Sequence, residues 1–221
     1  MNCALDHLVV LAASLDEGAA WCEATLGVPP GPGGKHPLMG THNRLLRIDG
    51  EGFPQAYLEI IAIDPAAPAP GRARWFNMDD AALQAALKRE GPRLHHAVLR
   101  SPNLEMMRWG LINRGLNPGA MLAAERDTPN GTLSWRIVVR DDGRIEADGA
   151  LPTLIAWNGL HPSTNMAASA LQLTALRVRE LPAAARDVLR WRGPEFVPAP
   201  APLLEAVFHT PRGELTLRTP D

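Results

Sequence analysis

Three ionisable side chains sit inside apolar runs of the chain, and such placement could serve chemistry. His7 lies within Leu5-Asp6-His7-Leu8-Val9-Val10-Leu11, and Glu59 is the only acidic residue in Ala56-Tyr57-Leu58-Glu59-Ile60-Ile61-Ala62-Ile63. Burying an ionisable group among such neighbours is costly unless a cation, a proton or hydrogen bonds compensate it. One explanation can serve both residues. The first run also returns as Leu94-His95-His96-Ala97-Val98-Leu99-Arg100-Ser101, which aligns without gaps and places His96 on His7. A histidine in an apolar strand is most often a hydrogen-bonded core residue, so the pairing of His7 and His96 matters more than either alone.

The elements that would position these side chains follow from local pattern. Leu5 to Leu11 is a short run rich in β-formers, as expected of a buried strand. Ser14 is a helix N-cap with Glu17 three residues on, and Gly27 ends the helix Leu15 to Leu26. The segment from Pro29 to Pro37 is too rich in proline and glycine for a regular element. Asn43 to Ile48 and the Glu59 run read as strands, and Pro65, Pro68 and Pro70 mark a connector. A helix is expected from Asp79 or Asp80 to Arg89, stopped by Gly91-Pro92.

From Leu94 the order repeats. A helix follows from Asn103 to Arg114, then a second proline- and glycine-containing loop, then strands at Leu133 to Val139 and Leu151 to Trp157. Gly131-Thr132 echoes Gly40-Thr41. A shorter third unit has a strand at Leu171 to Val178, a helix from Pro182 to Trp191, a proline-rich stretch, and a hairpin turning at Pro211-Arg212-Gly213. The expectation is an α+β fold of paired βαβββ modules with a partial third βαββ unit. The division is 1–71 for the first module, 72–93 for a connector with a helix, 94–165 for the second module and 166–221 for the third unit. Repetition at this length implies units that bury their apolar faces on one another.

Composition narrows the partners. With 22 basic and 24 acidic residues and a net charge of -2, the chain has no electrostatic footprint for nucleic acid or an anionic membrane. A small molecule is the default partner, and a homodimer is a reasonable expectation. The first residues lack the charged and apolar regions of a secretory signal, and no apolar run reaches membrane-spanning length, so a cytoplasmic location is expected. On that expectation, Cys3 and Cys22 read as reduced structural residues. Nucleophile elbows, phosphate loops and dinucleotide fingerprints are absent.

The duplicated module, with a histidine in each first strand and a glutamate in the last strand of the first copy, resembles the vicinal oxygen chelate superfamily. Within it, Gly33-Gly34-Lys35-His36-Pro37-Leu38-Met39-Gly40-Thr41-His42-Asn43 looks like the signature of the glyoxalase-like domain family. The resemblance covers roughly residues 4 to 165. It implies an incomplete barrel around a cavity, and a divalent metal (Zn, Mn, Ni or Fe) held by His7, Glu59 and His96. Laying Tyr57-Leu58-Glu59 on Thr153-Leu154-Ile155 leaves Ile155 where a second carboxylate would stand.

The activity this implies is that of a lyase or isomerase on a small carbonyl- or enediol-type substrate, with the metal as Lewis acid and His36 or Glu59 moving a proton. His36 and Asn43, on and after the glycine-rich loop, are substrate-site candidates, as are Trp135 and Trp157 on second-module strands. The alternative is a metal-free binding or resistance-type protein using the same cavity.

Overall fold

The computed structural model describes residues 2–179, 181–198, 200 and 203–220. Its main sheet has eight strands: β1 (Ala4–Leu11), β2 (Lys35–His36), β3 (Thr41–Arg47), β4 (Tyr57–Ile63), β5 (Arg93–Arg100), β6 (Ala120–Thr128), β7 (Gly131–Val139) and β8 (Thr153–Asn158). They lie in the order β2-β3-β4-β1-β5-β8-β7-β6. Within each module the first strand runs parallel to the last, β1 with β4 and β5 with β8, while β1 and β5 pair antiparallel and join the halves. The order is therefore the same when read outward from the centre. Two βαβββ modules form an incomplete barrel whose free edges are β2 and β6.

Helix α1 (Leu15–Leu26) follows β1, and α3 (Leu104–Ile112) follows β5. Ser14 caps α1 by accepting from the Glu17 amide at 3.2 Å, and Gly27 ends it with φ 75°. That left-handed conformation is one glycine adopts without a Cβ clash. A second sheet, ordered β10-β9-β11-β12, is built from β9 (Gln172–Arg179), β10 (Glu195–Val197), β11 (Leu204–Thr210) and β12 (Gly213–Arg218), with α4 (Ala183–Leu189) after β9. Here the first strand pairs with the strand directly after the helix, unlike in the two modules. The proline-rich stretch thus contributes a short strand. Backbone bonds stitch this unit on, Leu173 N–H to the Ile48 carbonyl at 2.9 Å and Cys3 N–H to the Leu189 carbonyl at 3.0 Å.

One apolar cluster packs Leu8, Val10, Leu58, Ile60 and Leu99 against α1, α3 and the third unit. A second packs Val9, Leu11, Ile61, Val98, Ile137 and Ile155 with Trp75, Phe76 and Met78 on the other face of the main sheet. Both faces of β1 are consequently buried, which accounts for its unbroken apolar run. Helix α2 (Ala81–Glu90), capped by Asp80, places Leu87 in the second cluster. Cys3 and Cys22 are free and buried. No helix among the described residues is long and apolar enough to cross a membrane.

Besides β10 in the proline-rich stretch and the short β2, which lies inside the 29–37 segment expected to hold no regular element, two further sequence expectations change. Residues 120–128 form a nine-residue strand, β6, where a loop was expected, and β6 pairs along its whole length with β7. The ladders also correct the repeat alignment. His7 partners Val98 and Val9 partners His96 across the centre, so His7 and His96 are equivalent. Val9 then partners Glu59 in β4, while its counterpart Val98 partners Thr153 in β8. The residue matching Glu59 is Thr153 and not Ile155.

Candidate functional site

A small cleft opens on one face of the main sheet; the empty space within it and across its open mouth is about 420 Å³. Its polar floor joins all four strands of the first module, with His36 on β2. His7 on β1 has Nε2 3.4 Å from a Glu59 carboxylate oxygen on β4, and the other Glu59 oxygen accepts from the Asn43 amide on β3 at 2.6 Å. The same amide nitrogen lies 3.3 Å from His36 Nε2, whose Nδ1 is 3.0 Å from the Thr41 hydroxyl. His36 is thus a neutral ring that accepts at Nε2 and donates from Nδ1. The structure brings His7, Glu59, His36 and Asn43 together.

Behind His7 stands a residue the sequence reading missed. Asp6 is fully buried and accepts from His7 Nδ1 at 2.8 Å with one oxygen. Its other oxygen accepts from the Trp157 indole at 3.0 Å and from His161 at 3.1 Å. In a regular strand Asp6 and His7 would face opposite sides. The β1–β5 ladder shifts register between Leu5 and His7, and this bulge brings both side chains together. The matching irregularity in β5 falls at His95, which is half-buried with Nε2 3.0 Å from the Phe76 carbonyl oxygen.

Burial alone would lower the His7 pKa, but its hydrogen bonds to Asp6 and Glu59 overcome this and raise it to about 9. Burial would raise Glu59, and the bond and charge of His7 instead bring it down to about 2. Burial pushes His36 down to about 4 and His96 to about 3. At neutral pH the floor therefore holds a His7 cation between two carboxylates, beside a neutral His36.

The walls are aromatic. Trp135 and Trp157 line the cavity with ring centroids 5.5 Å apart, and Tyr57 stacks on His7 at 4.6 Å. Trp75 and Phe76 close one side from the connector between the modules. Phe76 and Asn77 have φ of 58° and 59°, uncommon for residues with a side chain. Asn77 is held there by the Ile145 amide and the Gly143 carbonyl, both 3.0 Å away. Phe76 lies 5.5 Å from His96, centroid to centroid.

Arg126 reaches the cavity from β6 and donates to the Asn43 side-chain oxygen at 3.4 Å. The signature glycines make this possible. A Cβ on Gly34 would overlap the Arg126 guanidinium, and one on Gly33 would overlap the Asn43 backbone carbonyl. The two therefore differ in cost. Gly33→Ala collides with backbone and is expected to destabilise the protein by about 2 kcal/mol, whereas Gly34→Ala displaces only a flexible side-chain end and should cost about 0.5 kcal/mol or less. Urea denaturation of both variants checks this, and equal losses would refute the packing argument.

The metal set implied by the resemblance does not converge. His7 and Glu59 face each other, but His96 Nε2 is 3.0 Å from the Thr153 hydroxyl and accepts from the Thr153 amide at 3.2 Å. Among the described residues no group of three His, Cys, Asp or Glu is placed to hold a metal ion. Thr153, the positional match of Glu59, offers a hydroxyl in place of a carboxylate. The residues present do not fit a three-ligand protein site.

Two βαβββ modules closed around a small cavity define a protein of the vicinal oxygen chelate type. Residues 5–192 match the glyoxalase-like domain, and the chain belongs to that family. No curated protein sequence matches it. Among solved structures, a hypothetical protein from Staphylococcus aureus is 15% identical, covering 80% of this chain and 70% of that one with a TM-score of 0.55. A methylmalonyl-CoA epimerase from Streptomyces coelicolor is 16% identical over 73% of this chain and 99% of that one, TM-score 0.45. One from Mycobacterium tuberculosis is 17% identical over 70% and 86%, TM-score 0.41. At these identities the likeness is one of fold.

Proposed function

We propose that the chain is a small-molecule-binding protein of the glyoxalase-like kind. It holds a planar, largely apolar ligand between its modules without a metal ligated by its own side chains. The observation that carries this is the mutual use of the polar groups. Both His7 nitrogens face carboxylates, both Glu59 oxygens face donors, and the Asn43 amide serves Glu59 and His36 together. A general base works best with a pKa near the operating pH. His7 near 9, His36 near 4 and Glu59 near 2 lie on either side of neutrality, which suits fixed recognition better than proton transfer. Aromatic walls over a few convergent polar groups are the usual make-up of a ligand pocket.

One observation favours a second reading, a metal-dependent lyase or isomerase with His7, Glu59 and His96 as ligands and His36 as proton carrier. The Nδ1 of His96 is buried without a hydrogen-bond partner. Elemental analysis of tag-free protein, beside a His7→Ala, His96→Ala double variant, separates the two. The expected result is well under one metal per chain and no rise in melting temperature with Zn, Mn, Ni or Fe, since a ligand that binds the native state stabilises it. Near-stoichiometric metal that disappears in the double variant would overturn the binding-only reading.

A further inference from the structure

We infer that the ligand is a small aromatic carboxylate, its ring against the faces of the paired cavity tryptophans Trp135 and Trp157 and its carboxylate on Arg126. This rests on the cavity being the ligand site and adds the ligand's chemical class. The argument is one of unmatched hydrogen-bonding capacity. The side-chain acceptors on the floor are all matched: Glu59 by His7 and Asn43, Asn43 by the Gly34 amide at 2.8 Å and by Arg126, and His36 Nε2 by the Asn43 amide. Donors are in excess. Arg126 has five N–H groups and makes one long bond, and among the described residues no carboxylate lies within ion-pair distance of it. The indole N–H of Trp75, a residue that also lines the cavity, is buried with no partner.

A ligand that completes such a cavity must bring acceptors, and a guanidinium fork selects a planar two-oxygen anion that takes two parallel bonds. Glu59 does not forbid an anion, because His7 and the Asn43 amide already compensate its charge. Gly34 supports the assignment independently, since any Cβ there would occupy the space of the guanidinium. Trp135 and Trp157, tilted against each other at 5.5 Å, supply faces for a ring.

The test titrates the full chain with benzoate, benzamide and acetate at constant ionic strength. It reads tryptophan fluorescence and the indole N–H resonances, with that of Trp75 assigned through Trp75→Phe. Benzoate should bind at least tenfold more tightly than either benzamide or acetate and move the Trp75 resonance. In Arg126→Gln benzoate and benzamide should come within about twofold of each other, while Arg126→Lys keeps part of the preference. Arg126 makes a single 3.4 Å bond, so both variants should fold, as their melting temperatures will show. Equal affinity for benzoate and benzamide in the unmodified protein, or a preference that survives Arg126→Gln, would overturn the anion inference and leave the cavity reading intact. No indole response to either ring compound would overturn both.

Discussion

Replacing Asp6 by alanine is expected to destabilise the protein by about 3–5 kcal/mol, the usual loss when one member of a buried charged network is removed. The size follows from what Asp6 serves. One fully buried carboxylate accepts from His7, Trp157 and His161, so its removal leaves one buried and two half-buried donors without an acceptor. Asp6→Asn retains one oxygen but turns an amide N–H towards those donors, so it should cost nearly as much. Urea unfolding gives the stabilities. A loss below about 1 kcal/mol for Asp6→Ala would mean that water or a shifted side chain replaces the network. The variant should also lower the His7 pKa, since Asp6 is the first of the partners that raise it. An NMR titration of the His7 ring reads this directly and distinguishes loss of the charge partner from general loosening.

Asp6 also marks the limit of what could be read from the sequence. Glu59 stood out because a regular strand gave it apolar neighbours, and the same argument applies to Asp6 in the first run. Strict alternation would have sent Asp6 away from His7. Only the bulge between Leu5 and His7 brings the two together, and a bulge set by pairing with β5 has no local signature. The modules, the caps at Ser14 and Asp80, and the equivalence of His7 and His96 were legible because each depends on local pattern or on repetition.

Strand β6 was not legible, for a related reason. Met121-Leu122-Ala123-Ala124-Glu125-Arg126-Asp127 contains no β-branched or aromatic residue, and its strand state comes from pairing with β7. Missing β6 meant missing Arg126, among the described residues the cationic side chain that lines the cavity from the second module. The two-residue slip that put Ile155 in place of Thr153 has the same origin. Glycine-rich loops of different length separate the strands of the two modules, so only the ladders fix their register.

Stability should peak near pH 6.5 and fall on both sides, more steeply towards acid. Burial holds His36 near 4 and His96 near 3 in the folded protein, below the ordinary value of 6.5 that they regain on unfolding. The unfolded chain then binds more protons as pH drops below 6.5, and stability is lost down to the folded values. His95, also lowered by burial, adds in the same direction. With two or more such groups, the acid slope should reach about 2 kcal/mol per pH unit between roughly pH 5.5 and 4.5. His7 acts in the opposite sense. Raised to about 9, it contributes stability that is complete below 6.5 and lost as pH rises through 9. Glu59, lowered to about 2, contributes stability present above 4.5 and lost only as pH falls through 2, so it deepens the acid limb at its far end. Urea midpoints from pH 4 to 9 test the profile. In His96→Gln, where the side-chain carbonyl can still accept from the Thr153 amide, the acid slope should shrink by about 1 kcal/mol per pH unit with the alkaline limb unchanged. A flat profile between pH 6.5 and 4.5 would mean that His36 and His96 are not held neutral by burial. The pairing of one cationic and one neutral histidine on the cavity floor would then be wrong.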